Sequence, residues 1–505
     1  MIPLIALFLG ALSAFAFQPF GLSLLMPLAF AGLCQVITRA PTLRRSLLLG
    51  WLFGVGQFAV GLNWIATAFT FQAAMPAWLG WVAVVLLSFY LAVYPMLASG
   101  LAWRFGRDRP IALVLALAGA WGITEWLRAT MFTGFAWNPV GAALVDSPLL
   151  GSTRWIGTYG LSALIVLGGG ALWLAWRRAF KPAAWVAAGV LAFALLPTPA
   201  LQPRGEPRPI RIVQPNIGQD VKWDAGFEDI AARRLHDLTR PRSDREELIF
   251  WPEVAVTQPL SDNRPAAAPM VHAERGVATR TLTERDLLLT GAIALRSKDG
   301  RSADSAANSV FVLGPGGQFF GRYDKAHLVP YGEYLPMRPF LSAIGLSRLA
   351  PGDGDFDAGP GPSSIALPGG WGTAGFQLCY EIIFSGDVVD RANRPDFLFN
   401  PSNDAWFGRW GPPQHLAQAR MRAAEEGIPV IRSTPTGISA LIDARGRIID
   451  SIPWQRAGII WAELPRPVAA LGPFARLGNL IPLSLGFLLL LSAIALGRSR
   501  RYSAT

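Results

Sequence analysis

In this chain of 505 residues, 52% are hydrophobic and only 16% charged, and a mean hydropathy of +0.34 excludes an ordinary soluble enzyme and points to a membrane protein. The net charge of +11 would suit a nucleic-acid binder if it covered one folded face, but residues 1–200 hold eleven basic and three acidic side chains, Arg498, Arg500 and Arg501 add three positive charges, and 201–497 net zero. Excess charge that only flanks apolar runs is the mark of a positive-inside membrane chain, so no nucleic-acid partner is expected.

In chain order, apolar runs long enough to approach a bilayer span cover about 3–17, 22–38, 46–66, 78–103, 110–128, 158–176 and 182–197, and an eighth covers about 479–497. The first lacks a basic leader and is followed at once by further spans, so it reads as a retained helix and not as a signal peptide. Arg39, Arg44 and Arg45 follow the second run, Arg104, Arg107 and Arg109 the fourth, Arg177, Arg178 and Lys181 the sixth, and the last cluster the eighth. Every even-numbered span therefore exits into a basic loop, which puts both termini in the cytoplasm and the segment between spans seven and eight outside it. The domains expected are a transmembrane bundle over 1–200, an extracytoplasmic domain over 205–470, a C-terminal transmembrane helix over 477–498 and a cytoplasmic basic tail over 499–505. Within the bundle, Cys34 reads as a small buried hydrophobe and Gly168-Gly169-Gly170 as a helix-packing face. Glu125 and Arg128, one turn apart, read as a mutually satisfied pair or, alternatively, as a contact for a lipid headgroup.

The 205–470 segment alternates β-like runs (Ile210–Gln214, Leu287–Ala294, Ser309–Leu313, Asp396–Asn400, Ile438–Ile442) with amphipathic helical stretches (Phe227–Leu238, His415–Glu426), which favours α/β layering. Gly314-Pro315-Gly316-Gly317 and Arg445-Gly446 read as hairpin turns. His236, His272, His327 and His415 have no zinc-ligand spacing, no G-x-S-x-G elbow presents a serine, no histidine has an aspartate five residues on, and no phosphate-binding glycine loop occurs. No metal and no cofactor is expected. What remains is Cys379, the one thiol outside the apolar runs, which follows a strand-like stretch. Glu253 and Lys325 also close apolar runs, so a base, a cation and a thiol each fall where a strand meets a loop. Taken singly, Glu253 could equally be a strand-end ion pair and Lys325 a solvated charge.

Trp-Pro-Glu at 251–253, Tyr-Asp-Lys-Ala-His-Leu-Val-Pro-Tyr-Gly-Glu-Tyr-Leu-Pro at 323–336 and Cys-Tyr-Glu at 379–381 resemble the nitrilase superfamily. With eight apolar runs and Ser-Asn-Asp-Ala-Trp-Phe-Gly at 402–408, the chain resembles more closely the membrane-embedded apolipoprotein N-acyltransferase branch. The resemblance implies an αββα sandwich, a catalytic Glu253, Lys325 and Cys379, and supporting positions at Glu333, Tyr380, Glu381 and Trp223. Glu333 would orient Lys325 or pair with Arg338, Tyr380 and Glu381 would serve the site or packing only, and Trp223 would form a wall. Trp406 and Phe407 would be a buried aromatic anchor or a lid in contact with lipid. The resemblance further implies a monomer in the bacterial inner membrane that moves an acyl chain from a phospholipid, chiefly phosphatidylethanolamine, through a Cys379 thioester to the α-amine of a diacylglyceryl-cysteine apolipoprotein. A membrane-tethered amidase using the same three residues is the rival reading, and a transporter with an appended domain is the non-enzymatic one.

Overall fold

The computed structural model describes residues 1–71, 76–203, 206, 208–218, 227–241, 244–343 and 354–498, and the chain divides into two compact units. One unit comprises Met1–Pro199, Arg409–Gly427 and Ala470–Thr505, and the other comprises Ala200–Gly408 and Ile428–Ala469.

The first unit is helical. Among the described residues, four helices are long and apolar enough to cross a membrane: Leu79–Gly106, Pro110–Thr130, Pro148–Trp176 and Leu480–Gly497. Leu43–Gly61 with Ile65–Phe71 also qualifies if the pair, bent by 49°, counts as one span. The other expected runs are shorter apolar helices, Ile2–Ala16, Leu25–Thr38 and Phe180–Ala194. Helices that cannot gain from the hydrophobic effect in lipid associate by close packing, and small residues permit it. A methyl added at Gly10 would lie 1.9 Å from the Phe53 carbonyl oxygen, and one at Gly56 would lie 2.1 Å from that of Leu7, so the first and third apolar helices touch backbone to backbone. Of the glycine triplet, Gly169 and Gly170 meet Phe30 and Val114 in this way, whereas Gly168 faces open space. Glu125 and Arg128 do pair, at 3.9 Å, and each is held further by backbone: Val140 N–H donates to Glu125 at 2.8 Å, and Arg128 donates to the carbonyls of Phe135 and Trp137 at 3.1 and 2.8 Å.

The helix Gly411–Glu426, which hydropathy assigns to the 205–470 segment, packs in this helical unit. Its polar side chains are buried and partnered there. Gln414 accepts from Trp137 Nε1 at 2.9 Å, and Arg422 and Glu425 pair at 3.0 Å. Glu425 also accepts from Thr158 N–H at 2.5 Å, just after Gly157 (φ 67°) interrupts the helix Thr153–Trp176 and frees that donor. Ala417, Met421 and Ala424, spaced along one face of the same helix, pack in the apolar core of this unit.

The second unit is built of two sheets. Its strands are β1 (Pro209–Gln214), β2 (Leu248–Phe250), β3 (Ser261–Asp262), β4 (Leu287–Arg296), β5 (Ser305–Leu313), β6 (Phe319–Asp324), β7 (Ser364–Ala366), β8 (Thr373–Phe376), β9 (Phe397–Pro401), β10 (Val430–Ser433), β11 (Ser439–Ile442), β12 (Ile448–Ile452) and β13 (Gly458–Glu463). The first sheet runs β13-β1-β2-β4-β5-β6 with β3 on β4, and the second runs β12-β11-β10-β9-β8-β7. The two expected turns join antiparallel neighbours, β5 to β6 and β11 to β12. Period-two alternation sorts the side chains. Ile210, Ile212 and Phe250 of one sheet meet Phe376, Phe397 and Ile431 of the other, with the Phe250 and Phe399 rings 4.9 Å apart. The opposite set of the first sheet, including Val213, Ile249 and Leu288, packs with Leu235 and Ala278 of the helices Phe227–Thr239 and Ala268–Thr279. β1, β2 and β4 are parallel, as are β8, β9 and β10. In such arrangements the loops at the carboxyl ends of the strands are free to build a site.

Candidate active site

Those carboxyl ends carry the residues in question. Glu253 lies three residues past β2, Lys325 immediately follows β6, and Cys379 begins a short 3-10 helix, Cys379–Ile383, after β8. All three are buried, at 7%, 1% and 6% exposure. Cys379 has φ 48° and Val254, next to Glu253, has the same value. Left-handed backbone at non-glycine residues is costly and is kept where surrounding structure enforces it. Gly291 on β4 lets the Glu253 loop close in, since a methyl there would lie 2.7 Å from Glu253 Cα.

Lys325 Nζ sits between two carboxylates, 2.8 Å from Glu333 Oε2 and 3.8 Å from Glu253 Oε1. Glu333 thus bonds Lys325, while Arg338 pairs with Asp355. Val329 N–H donates to Glu333 Oε2 at 2.8 Å and folds the loop after β6 back onto the lysine. Burial alone would lower the Lys325 pKa, but the charges of Glu333 and Glu253 hold it above its ordinary value. Burial pushes the Glu253 carboxyl up, while Lys325 pulls it down, Glu333 pushes it up again, and hydrogen bonds from Asn308 and the Cys379 thiol lower it. Burial and then the Glu253 charge hold the Cys379 thiol well above its ordinary value, against the opposing pull of Lys325 and a hydrogen bond from the Asn403 backbone N–H. The arrangement is therefore a thiol held towards its neutral form against a carboxyl group of raised proton affinity, beside an ammonium favoured by two neighbouring carboxyl groups. It suits base-assisted attack by sulfur, with a cation ready for the negative charge that develops on an acyl oxygen.

Glu381 ties these loops together. Its Oε1 accepts from Tyr323 Oη at 2.9 Å and from Ala326 and His327 N–H at 2.7 and 3.0 Å, and its Oε2 accepts from Leu378 N–H at 2.7 Å. One carboxylate thereby joins the loop of Lys325 to the turn of Cys379. Burial raises its pKa to about 7, chiefly against the His327 N–H and the Lys325 charge. Tyr380 is buried with its ring against His327 and Phe384. Trp406 and Phe407 are half-buried in the 3-10 helix Asp404–Phe407 after β9. Trp223 lies outside the described residues. A cavity of about 310 Å³ opens beside Glu381, His327 and Gln377, and Cys379 does not line it.

Two residues escaped the sequence reading. Asn308 on β5 donates from Nδ2 to Glu253 Oε1 at 2.8 Å and to Glu333 Oε1 at 3.2 Å. Arg432 on β10, fully buried, grips Asp404 at 2.8 and 2.6 Å and Ser402 Oγ at 2.9 Å, and so fixes the loop that aims the Asn403 N–H at the sulfur. The available signal was a polar residue inside each apolar strand run, Ala306-Ala307-Asn308-Ser309-Val310 and Val430-Ile431-Arg432-Ser433.

Two outcomes follow from this geometry. Glu381→Gln sets an NH2 group against one set of N–H donors, so activity should fall about tenfold or more, the scale of a lost hydrogen bond to a charged group. Because the folded state binds the Glu381 proton more tightly than the unfolded chain, this group makes stability fall as pH rises from 4.5 to about 7. Unfolding curves of the variant across that window should show a shallower decline than the native protein. Arg432→Met strands the buried Asp404 charge and should cost about 3–5 kcal/mol in chemical denaturation, whereas the double variant with Asp404→Leu should recover part of it.

Comparison with known proteins adds an independent line. Residues 9–171 match the family model described as the apolipoprotein N-acyltransferase N-terminal domain, and residues 210–472 match that described as carbon-nitrogen hydrolase. The apolipoprotein N-acyltransferase of Rhizobium rhizogenes is 35% identical over 490 residues, covering 91% of this chain and 89% of the relative. That of Brucella melitensis biotype 1 is 35% identical over 457 residues, covering 85% and 82%. Among solved structures, Saccharomyces cerevisiae Nit3, a member of branch 10 of the nitrilase superfamily, has 18% identity and a TM-score of 0.37, covering 55% of this chain and 94% of that one. With such identity running through nearly its whole length, the chain belongs to the apolipoprotein N-acyltransferase family.

Proposed function

We propose that this chain transfers an acyl group from a phospholipid, chiefly phosphatidylethanolamine, to the α-amine of the diacylglyceryl-cysteine of an apolipoprotein, by way of a Cys379 thioester. The observation that carries the reading is the buried Cys379 thiol, held in a left-handed turn against Glu253 beside Lys325, in a family whose members bear that acyltransferase name. In the first half, Glu253 takes the thiol proton as sulfur attacks the ester carbonyl, the S–C bond forms, the C–O bond breaks, and Glu253 returns the proton to the departing lysophospholipid hydroxyl. In the second, the acceptor amine attacks the thioester, Glu253 takes an amine proton, and the sulfur leaves and is reprotonated as the amide forms. Lys325 and a backbone N–H such as that of Tyr380 face the oxyanion in both halves. Glu333 orients Lys325, and Trp406 and Phe407 border the lipid. A thioester suits this role because it stores the acyl group and remains more reactive towards amines than an oxygen ester.

We place the chain in the bacterial inner membrane as a monomer with eight spans, the five longer helical segments joined by the three shorter ones, and residues 205–470 on the periplasmic side. The arginine clusters after the even-numbered runs support the orientation. A reporter active only in the periplasm, inserted near Gly300, should give signal, and signal from a cytoplasm-only reporter at that site would reverse the topology.

The chemistry is tested by following products. Phospholipid alone should release one equivalent of lysophospholipid per enzyme and leave an acyl adduct on Cys379 by intact mass. A diacylated lipopeptide with a free α-amine should restart turnover, and its acetylated form should not. Cys379→Ser should abolish burst and transfer, and Cys34→Ser should leave both intact. Steady release of free fatty acid without acceptor would instead establish the hydrolase that the carbon-nitrogen hydrolase match keeps as the alternative.

A further inference from the structure

Lys325, Glu253 and Glu333 form a buried cluster of one amine and two carboxyl groups, and one amide residue touches all three. The backbone carbonyl of Asn308 accepts from Lys325 N–H at 2.8 Å, and its Nδ2 donates to both carboxylates, to Glu253 Oε1 at 2.8 Å and to Glu333 Oε1 at 3.2 Å. The amide orientation follows from chemistry, since the reverse would set Oδ1 against two carboxylate oxygens. It is kept although Oδ1 is then buried with no partner among the described residues. The consequence falls on Glu253. Its Oε1 accepts from Asn308 and faces Lys325, while Oε2 is buried with no hydrogen-bond donor, sulfur included, among the described residues.

We propose that Asn308 is a positioning residue for proton transfer: by donating to Glu253 Oε1 and Glu333 Oε1 from one amide, it holds both carboxyl groups about Lys325 and fixes Glu253 in the orientation from which it takes the Cys379 proton. The inference rests on the reading of Glu253 as the base. The groups that face Glu253 are Lys325, Glu333, Asn308 and Cys379, and Asp404 acts on Cys379 from the loop after β9. An uncharged donor is required here. A second cation would lower the basicity of Glu253, and a third acid would need a proton of its own to make the same bridge.

The test reads the thiol directly and needs no lipid substrate. The full-length protein in detergent is treated with iodoacetamide across a pH series, and adduct formation on the Cys379 peptide is followed by mass spectrometry. Asn308→Ala should slow alkylation about 10-fold or more at neutral pH, the scale for losing a hydrogen bond to a charged group. Asn308→Asp is nearly isosteric and can bridge only while it holds a proton, so its rate relative to the native protein should be highest at acid pH and fall as pH rises. Asn308→Ser keeps one donor and should lose less than the alanine variant, which gives a second reading should either of the others fail to accumulate. A merely structural role predicts the reverse: a loosened site would expose the thiol and speed alkylation. Faster alkylation, or an Asn308→Asp ratio that is flat with pH, would overturn the proposal. Glu253→Gln is the control that separates the two ideas. If it slows alkylation and the Asn308 variants do not, the positioning role fails alone, and if it leaves the rate unchanged, the base assignment itself fails.

Discussion

A buried lysine flanked by two buried carboxylates is the constraint around which the second unit is arranged. Taking such charges out of water costs several kcal/mol per ion, and their mutual attraction offsets this only when the remaining hydrogen-bonding capacity is filled. The filling comes from distant parts of the sequence: Asn308 from β5, Val329 N–H from the loop after β6, and the thiol from the turn after β8. None of these reaches the cluster unless both sheets are formed and face each other, so the apolar core and the charged site stand or fall together. The left-handed Cys379 and Val254 and the close approach at Gly291 are the local costs of that convergence.

Glu381 and Arg432 extend the same logic outward. Each is a buried charge whose partners sit on loops that must not drift: Glu381 binds the N–H groups of Ala326, His327 and Leu378, and Arg432 binds Asp404. Loops at the carboxyl ends of strands are ordinarily the mobile part of an α/β unit. Here two buried charges immobilise them from opposite flanks, one towards Lys325 and one towards Asn403. A reaction that needs a thiol, a base and a cation within a few ångströms gains from such preorganisation, because no reorganisation remains to be done when charge develops.

Much of this was legible before any coordinates. Strand runs such as Leu287–Ala294 and Ser309–Leu313 were visible because half-buried strands alternate and fully buried ones are continuously apolar, and the observed strands extend them by a few residues. Glu253, Lys325 and Cys379 stood out because chemically capable side chains at the ends of apolar runs are conspicuous. The pairing of Glu333 with Lys325 in preference to Arg338 was not legible, since both partners lie within eight residues and only the fold of the 329–333 loop decides. Asn308 and Arg432 were missed because one polar residue in a strand is usually an outward-facing one, and which face is covered is a tertiary fact. Gly411–Glu426 is legible as a helix, but that its Ala417, Met421 and Ala424 stripe packs in the core of the helical unit is a tertiary fact that hydropathy does not give.

The state of the thiol reconciles two demands on one sulfur. A pre-formed thiolate would be the better nucleophile at rest, but it would also be the species most open to oxidation. Burial and the neighbouring Glu253 charge keep Cys379 neutral, which suits the extracytoplasmic placement proposed for residues 205–470. In the proposed reaction the cost in nucleophilicity would be offset by Glu253: the group that raises the thiol pKa would also accept its proton, and burial raises its own affinity for that proton. Proton and acyl transfer would thereby be coupled in the proposed mechanism, with sulfur becoming anionic only as it bonds to carbon. Lys325, whose ammonium form the charges of Glu333 and Glu253 favour, would supply in that mechanism the fixed charge against which the acyl oxygen turns negative.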